Sequence, residues 1–257
     1  MHFYKYQGTG NDFIIVDDRT QTFHLSKEQI AHLCHRRFGI GADGFMLLQE
    51  ADGYDFAMVY YNSDGSLGTM CGNGGRCLVR FAADLGIVKN VANFIAVDGP
   101  HEAFIDPQKI SLKMQDVQHV ASQGKDFYTN TGSPHHVIIT ENIQQTNVFE
   151  IGKEIRNSTI YAHQNGCNVN FLEQNGVNSI FVRTYERGVE DETYSCGTGV
   201  TAAALVAHEQ LKLQSPVEIE TKGGNLSVKF NGNKATGYKD IFLTGPAKKV
   251  FEGELRS

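Results

Sequence analysis

The chain is poor in several features, and each shortage removes a class of function. It has no Lys/Arg cluster longer than a pair (Arg36-Arg37, Lys248-Lys249), and its formal net charge is −6. Nucleic acid and anionic membranes demand a contiguous positive footprint, so neither is an expected partner. No apolar run approaches the roughly 20 residues that span a bilayer. The opening MHFYKYQGTGNDF lacks a basic stretch followed by an apolar one, so it does not read as a secretory signal. Cysteines number five. An odd count without an export signal argues against a disulfide framework and for reduced thiols in the cytoplasm. Proline is scarce at 5 residues, whereas glycine reaches 27 of 257, above the usual share of about 7%. Many backbone positions therefore need positive φ or a close approach. With 40% apolar and 20% charged residues, the composition is that of a globular protein with one large or two smaller domains.

Hydrophobic periodicity alternates strands with a few helices. FYKY, DFIIVD, FMLLQ and DFAMVYY read as strands. Ser26 with Gln29 forms a capping box, Ile30, Leu33 and Cys34 follow at helical spacing, and Gly39 is the expected stop. A second helix is predicted from about residue 74 to 85, with Leu78, Phe81, Ala82 and Leu85 inward. In the second half HHVIIT is a strand, and hairpins are expected at Asn175-Gly176 and Asn231-Gly232. An Ala-rich helix spans about 197 to 211.

The two halves repeat one pattern: strand, acidic turn, Cys-Gly-x-Gly, helix. It occurs as CGNG at Cys71 and CGTG at Cys196, 125 residues apart and close to half the chain. This suggests an internal duplication. A cysteine at a helix N-terminus meets unpaired backbone N–H groups and the positive end of the macrodipole, both of which favour thiolate. The same N–H groups suit a carboxylate. Inverting a stereocentre by proton transfer needs a base on one face and an acid on the other. Two thiol/thiolate groups of similar pKa do this symmetrically, exchanging roles for the reverse reaction. Helix N-termini aimed at the substrate carboxylate would stabilise the charge that develops, without metal or pyridoxal chemistry.

In order along the chain, MHFYKYQGTGNDFIIVD, GIGADG, YNSDGSLGTMCGNGGRC, GSPHHV, GCNVNF, RTYERGVEDETYSCGTGVTAAA and LTGPAKKVFEGE resemble the diaminopimelate epimerase family. The resemblance covers essentially the whole chain, and its two cysteine segments are the specific part. It implies an α+β fold of two pseudo-symmetric domains, each a strand-rich, barrel-like sheet around a central helix. The expected halves are 1–115, with residues 246–257 returning to it, and 116–245. It implies cofactor-independent interconversion of LL- and meso-2,6-diaminopimelate in lysine and cell-wall precursor synthesis, by a homodimer. Carried over by motif, Cys71 and Cys196 are the acid/base pair. Gly72, Asn73, Gly197 and Thr198 hold the reacting carboxylate, and Asn11, Asn62 and Asn168 the distal amino and carboxylate groups. Glu186 and Arg187 straddle the substrate, and His135, with Glu186, tunes the thiols. Two positions depart from common versions of the pattern: Gly44 stands where many members carry Gln, and Ser133 where many carry Asn.

Other readings compete. Free cysteines are most often core filling, which is the expected role of Cys34, Cys77 and Cys167. Cys71 and Cys77 have five residues between them, too many for a usual zinc pair. Each asparagine could be a turn residue, the stronger reading for Asn62 when N-S-D-G is taken alone. GIGADG matches a dinucleotide fingerprint but follows a helix. GTGVTA opens one and is the more serious nicotinamide-binding candidate, although Glu190, Asp191 and Glu192 would repel a pyrophosphate. A proline-type isomerase and a thiol redox module complete the alternatives.

Overall fold

The computed structural model describes residues 1–255. Arg256 and Ser257, the end of the segment expected to return to the first half, lie outside the described residues. The chain divides into two units, Met1–Leu112 together with the segment from Gly245, and Lys113–Thr244.

The first unit runs β1 (His2–Gly8), β2 (Asn11–Asp17), α1 (Lys27–Cys34), β3 (Gly44–Gln49), β4 (Phe56–Asn62), α2 (Gly72–Asp84), β5 (Val91–Ala96), β6 (Gly99–Ile105) and β7 (Ile110–Lys113). The second runs β8 (Ala121–Gln123), β9 (Asp126–Asn130), β10 (Pro134–Ile139), α3 (Val148–Arg156), β11 (Asn168–Gly176), β12 (Ser179–Glu186), β13 (Asp191–Thr193), α4 (Gly197–Leu211), β14 (Val217–Thr221), β15 (Gly224–Asn233) and β16 (Gly237–Gly245). The last strand, β17 (Lys248–Glu254), pairs with β1 and so belongs to the first unit.

Both units carry the same sequence of pairings. In the first the order is β17-β1-β2-β3-β4-β5-β6-β7. In the second it is β8-β9-β10-β11-β12-β14-β15-β16. Read across either sheet, the neighbours are antiparallel twice, parallel, antiparallel, parallel, then antiparallel twice. Parallel neighbours need a crossover, and each unit places a helix in each: α1 and α2 in the first, α3 and α4 in the second. The duplication inferred from two short cysteine motifs is thus a duplication of topology.

The crossover helices split into two kinds. α4 is buried on almost every side, with Val200, Ala202 to Ala207 and Thr201 inaccessible. Its run of alanines lets strands close around it, and Leu226, Val228 and Ile241 complete that core. α2 is the counterpart, burying Cys77, Leu78, Val79, Phe81 and Ala82. α1 and α3 cover outer faces instead. α1 seals Ile14, Phe45 and Leu47, and α3 seals Val169, Phe171 and Tyr185. Each fully buried aliphatic or aromatic side chain contributes roughly 1.5–3 kcal/mol.

Several local expectations shift. The Ser26 capping box forms as read, but α1 ends at Cys34 rather than at Gly39. His35 is extended there, and its Nδ1 accepts from the Arg37 and Phe38 N–H groups, which turns the chain away. α2 starts at Gly72, because Cys71 is itself the N-cap, and Leu85 is its half-buried C-cap. Both hairpins form, but their turns lie beyond the Asn-Gly pairs, at 177–178 and 234–236. Asn178 is held by the Gln214 and Pro216 carbonyls, and Asn233 Oδ1 accepts from the Ala235 and Thr236 N–H groups. These anchors outweigh the Asn-Gly preference.

Candidate active site

Each unit gathers the sequence-predicted residues around one helix start. In the first, Cys71 precedes α2 with extended backbone (φ −110°, ψ 123°), and its side chain makes no capping hydrogen bond. In the second, Cys196 precedes α4 in nearly the same conformation (φ −120°, ψ 117°), again without capping. Neither sulfur is therefore spent on its helix, and glycines behind both keep the backbone approachable.

Around Cys71, Asn11 opens β2 with its Oδ1 3.9 Å from the sulfur. The Asn11 amide is oriented by Asp43, whose Oδ2 accepts from Nδ2 at 2.9 Å. Asp43 and Asp12 belong to a charge cluster with Lys5 and Arg36, and buried Lys5 also donates to the Gly41 carbonyl. Burial works against Asp12, but hydrogen bonds from Arg36 and Lys5 pull its carboxyl down to about 2. Asp43 is pushed up by burial and by Asp12. Asn73 is buried, and its Oδ1 accepts from Arg76 at 2.9 Å. Asn62 ends β4 in an exposed turn, donating to Ser66 Oγ at 3.2 Å. Gly44 is the first residue of β3, and a Cβ there would meet the Tyr60 ring at 2.5 Å. The space for a side chain at 44 is thus filled by Tyr60 from the neighbouring strand.

Around Cys196 the structure joins residues far apart in sequence. Thr198 Oγ1 lies 3.5 Å from the sulfur and 3.3 Å from Ser133 Oγ. Thr131 Oγ1 donates to the Thr198 carbonyl at 2.9 Å. Ser133 Oγ is 3.0 Å from His135 Nε2 and accepts from Asn168 Nδ2 at 3.1 Å. His135 Nδ1 is 3.0 Å from Asn170 Nδ2, an amide nitrogen fixed by the His136 carbonyl while its oxygen accepts from Thr184. The Asn168 Oδ1 accepts from the Arg187 backbone N–H at 2.9 Å. Arg187 Nη1 is anchored on the Gln164 and Gly166 carbonyls, and Glu186 accepts from Thr193 Oγ1.

Electrostatics sort the remaining ionisable groups. His135 is fully buried, and burial, reinforced by the nearby Arg187 charge, lowers its pKa to about 3 despite the Asn170 contact. It is a neutral imidazole. Burial raises Cys34 to about 11 and Cys77 and Cys167 to about 12, which makes them inert thiols. GTGVTA does open α4, but the short strand β13 and a turn separate it from β12, so the tight strand-to-glycine turn of a dinucleotide site is missing. The sequence reading missed Thr131 and Asn170, and Arg76 passed unremarked inside CGNGGRC. Among the described residues no group of three or more His, Cys, Asp or Glu side chains could hold a metal ion. No helix among them is long and apolar enough to cross a membrane.

Comparison with known proteins identifies the family of the chain. Residues 3–120 and 127–250 match the family described as diaminopimelate epimerase. The diaminopimelate epimerase of Flavobacterium psychrophilum is 51% identical over 255 residues, covering 98% of this chain and 99% of the relative. The chain belongs to the diaminopimelate epimerase family. The Aquifex aeolicus diaminopimelate epimerase is 38% identical, over 99% of this chain and 98% of its own. As a family member the chain is an epimerase, with the family's sheet-rich, two-domain fold. Solved structures extend the likeness in fold alone. A Bacillus anthracis phenazine biosynthesis protein of the PhzF family superposes with TM-score 0.77 at 13% identity, covering 100% of this chain and 99% of that one. A hydroxyproline epimerase from Agrobacterium vitis, solved with trans-4-hydroxy-L-proline, gives 0.66 at 12%, covering 99% and 90%.

Proposed function

We propose that this epimerase interconverts LL- and meso-2,6-diaminopimelate by a two-base mechanism with Cys71 and Cys196 as the acid/base pair. The observation that carries the reading is the repeated helix start: an uncapped cysteine before a glycine-rich helix, at the same place in two copies of one topology. One sulfur, as thiolate, takes the α-proton and becomes a thiol. The other, as thiol, delivers its proton to the opposite face and becomes the thiolate. Charge and atoms balance, and the reading requires both sulfurs to flank one α-carbon. The first-turn N–H groups of α2 and α4, with Gly72, Asn73, Gly197 and Thr198, suit the reacting carboxylate, where charge develops as the proton leaves.

Arg187 would clamp a carboxylate and Glu186 would face an ammonium. Asn11, Asn62 and Asn168 would read the distal end. His135, a neutral donor in the Ser133–Thr198 chain, would bias Cys196 without carrying charge. The pathway roles in lysine and peptidoglycan precursor synthesis, action without pyridoxal phosphate, a homodimeric state and a cytoplasmic location belong to this proposal as well.

The test is direct. LL-diaminopimelate in deuterium oxide under reducing conditions should show α-deuterium incorporation and meso product by NMR. Absence of both removes the reading. Cys71→Ala and Cys196→Ala should each lower turnover at least 10²–10⁴-fold, the usual range for a lost general acid or base. A fully active single variant eliminates the two-base assignment.

A further inference from the structure

We infer that Arg76 is a positioning residue whose buried charge takes Cys71 as its counter-ion, so that Cys71 is the sulfur resting as thiolate. The inference rests on the two-cysteine reading above and adds an inequality to it.

Arg76 lies on the first turns of α2 and is 0% exposed. Among the described residues its guanidinium donates only to neutral acceptors: the Gly72 carbonyl at 3.3 Å, Asn73 Oδ1 at 2.9 Å and Thr9 Oγ1 at 3.2 Å. Its Nε is buried with no partner among the described residues. A guanidinium keeps its proton in proteins, and a buried charge is costly unless an opposite charge accompanies it.

The neighbouring groups are committed elsewhere. On β1, Lys5 pairs with Asp12, and the Tyr6 hydroxyl donates to Asp84 of α2. On β2, Asp12 is shared between Lys5 and Arg36, and Asp43 at the start of β3 is held by Arg36 and Asn11. On β6, His101 is bonded to Asp98, with Glu102 beside it, and on β17 Lys249 pairs with Glu252. A methyl group on Gly8 would lie 3.3 Å from Cys77 Sγ and 3.4 Å from Arg76 Nη2, so that thiol lies in the same neighbourhood and feels the Arg76 charge. Burial keeps it protonated, however. The remaining candidate is Cys71, the residue just before the carbonyl that Arg76 grips, half-buried at the helix end where N–H groups already favour an anion.

The duplicated helix supplies the comparison. The fifth residue after Cys196 is Thr201, also 0% exposed, whose Oγ1 donates to the Gly197 carbonyl at 2.9 Å. It makes the same bond to the same helical carbonyl as Arg76 does, but without charge. Asn11 Oδ1 opposes the inference, since an acceptor favours S–H at Cys71. At 3.9 Å that contact is weak beside a buried opposite charge. The substrate whose α-hydrogen faces Cys71 therefore finds its base ready. Turnover leaves the proton on Cys71 and the thiolate on Cys196, and exchange with solvent restores the resting state.

Thiolate absorbance at 240 nm, taken as the difference between pH 7 and pH 4 with folding checked by circular dichroism, tests this. Wild type should show about one thiolate per chain. Cys71→Ser should abolish the signal and Cys196→Ser should keep it. Arg76→Met should lose it, and Arg76→Lys should retain it. No signal in wild type, loss in Cys196→Ser, or full signal in Cys71→Ser or folded Arg76→Met overturns the inference. If Arg76→Met fails to fold, the serine pair and Arg76→Lys decide. Failure of the two-base reading appears separately, as an active Cys71→Ala or Cys196→Ala. An unchanged thiolate in Arg76→Met, with both alanine variants dead, overturns Arg76's role alone.

Discussion

Asn170 settles the protonation of the residues around Cys196. Its nitrogen donates to His135 Nδ1, so the imidazole proton sits on Nε2 and points at Ser133 Oγ. That oxygen already accepts from Asn168, which leaves the serine hydroxyl to donate to Thr198 Oγ1, 3.5 Å from the Cys196 sulfur. The chain has a direction only while His135 stays neutral. An unfolded histidine binds its proton near 6.5, whereas His135 does so only near about 3. Between those values the unfolded state holds the extra proton, so stability rises with pH there. It is fully present above 6.5 and is lost as pH falls toward about 3, with a limiting slope of about 1.4 kcal/mol per pH unit. Buried His136 is also lowered and adds to the same window. Urea midpoints from pH 7 to 4 should therefore fall less steeply for His135→Gln than for wild type; parallel profiles would refute a neutral buried imidazole.

The helix starts differ in how they are capped. At α1, Ser26 caps the Gln29 N–H and Gln29 returns the bond. At α2 and α4 a cysteine occupies that place and caps nothing. A serine there typically contributes about 1 kcal/mol. Cys196→Ser should thus raise the unfolding free energy by about 0.5–1 kcal/mol while removing activity, and a loss of stability there would contradict the uncapped geometry of α4. The glycines behind the cysteines are not equivalent. A Cβ at Gly199 would collide with Asn170 Oδ1, so Gly199→Ala should cost about 1–3 kcal/mol and disturb the His135 chain. At Gly74 the nearest atoms would be Met46 Sδ at 3.3 Å and Cys71 Cβ at 3.5 Å. The flexible methionine can yield, and alanine gains up to about 1 kcal/mol of helix propensity. Gly74→Ala should be neutral to stabilising by thermal melt.

The whole molecule repeats one eight-strand order with a helix in each parallel crossover, and each unit has a core of its own. Residues proposed to grip the substrate come from both units. Ligand binding stabilises whatever it touches by mass action, by about 2.7 kcal/mol at a hundred times Kd. Saturating meso-diaminopimelate should therefore raise the melting of the first unit and of the second by several degrees, as followed by amide hydrogen exchange in each. Protection confined to one unit would show that the other takes no part in binding.

Sequence alone determined what depends on near neighbours in the chain. The Ser26 capping box, the buried Ala-rich run of α4 and the paired cysteines opening helices follow from spacings of a few residues, so local rules read them. α3 and the strands β6, β8, β9 and β17 carried weaker periodicity, and the two hairpin turns moved because anchors elsewhere outweighed the Asn-Gly preference. Only tertiary structure decided which polar groups share a hydrogen bond. Thr131 reaches Thr198 across 67 residues, and Asn170 reaches His135 across 35. It also decided that an arginine in the middle of a cysteine motif would be sealed from water with no carboxylate, among the described residues, to meet it. Burial and long-range pairing set those energies, and neither is visible until the chain has folded back on itself.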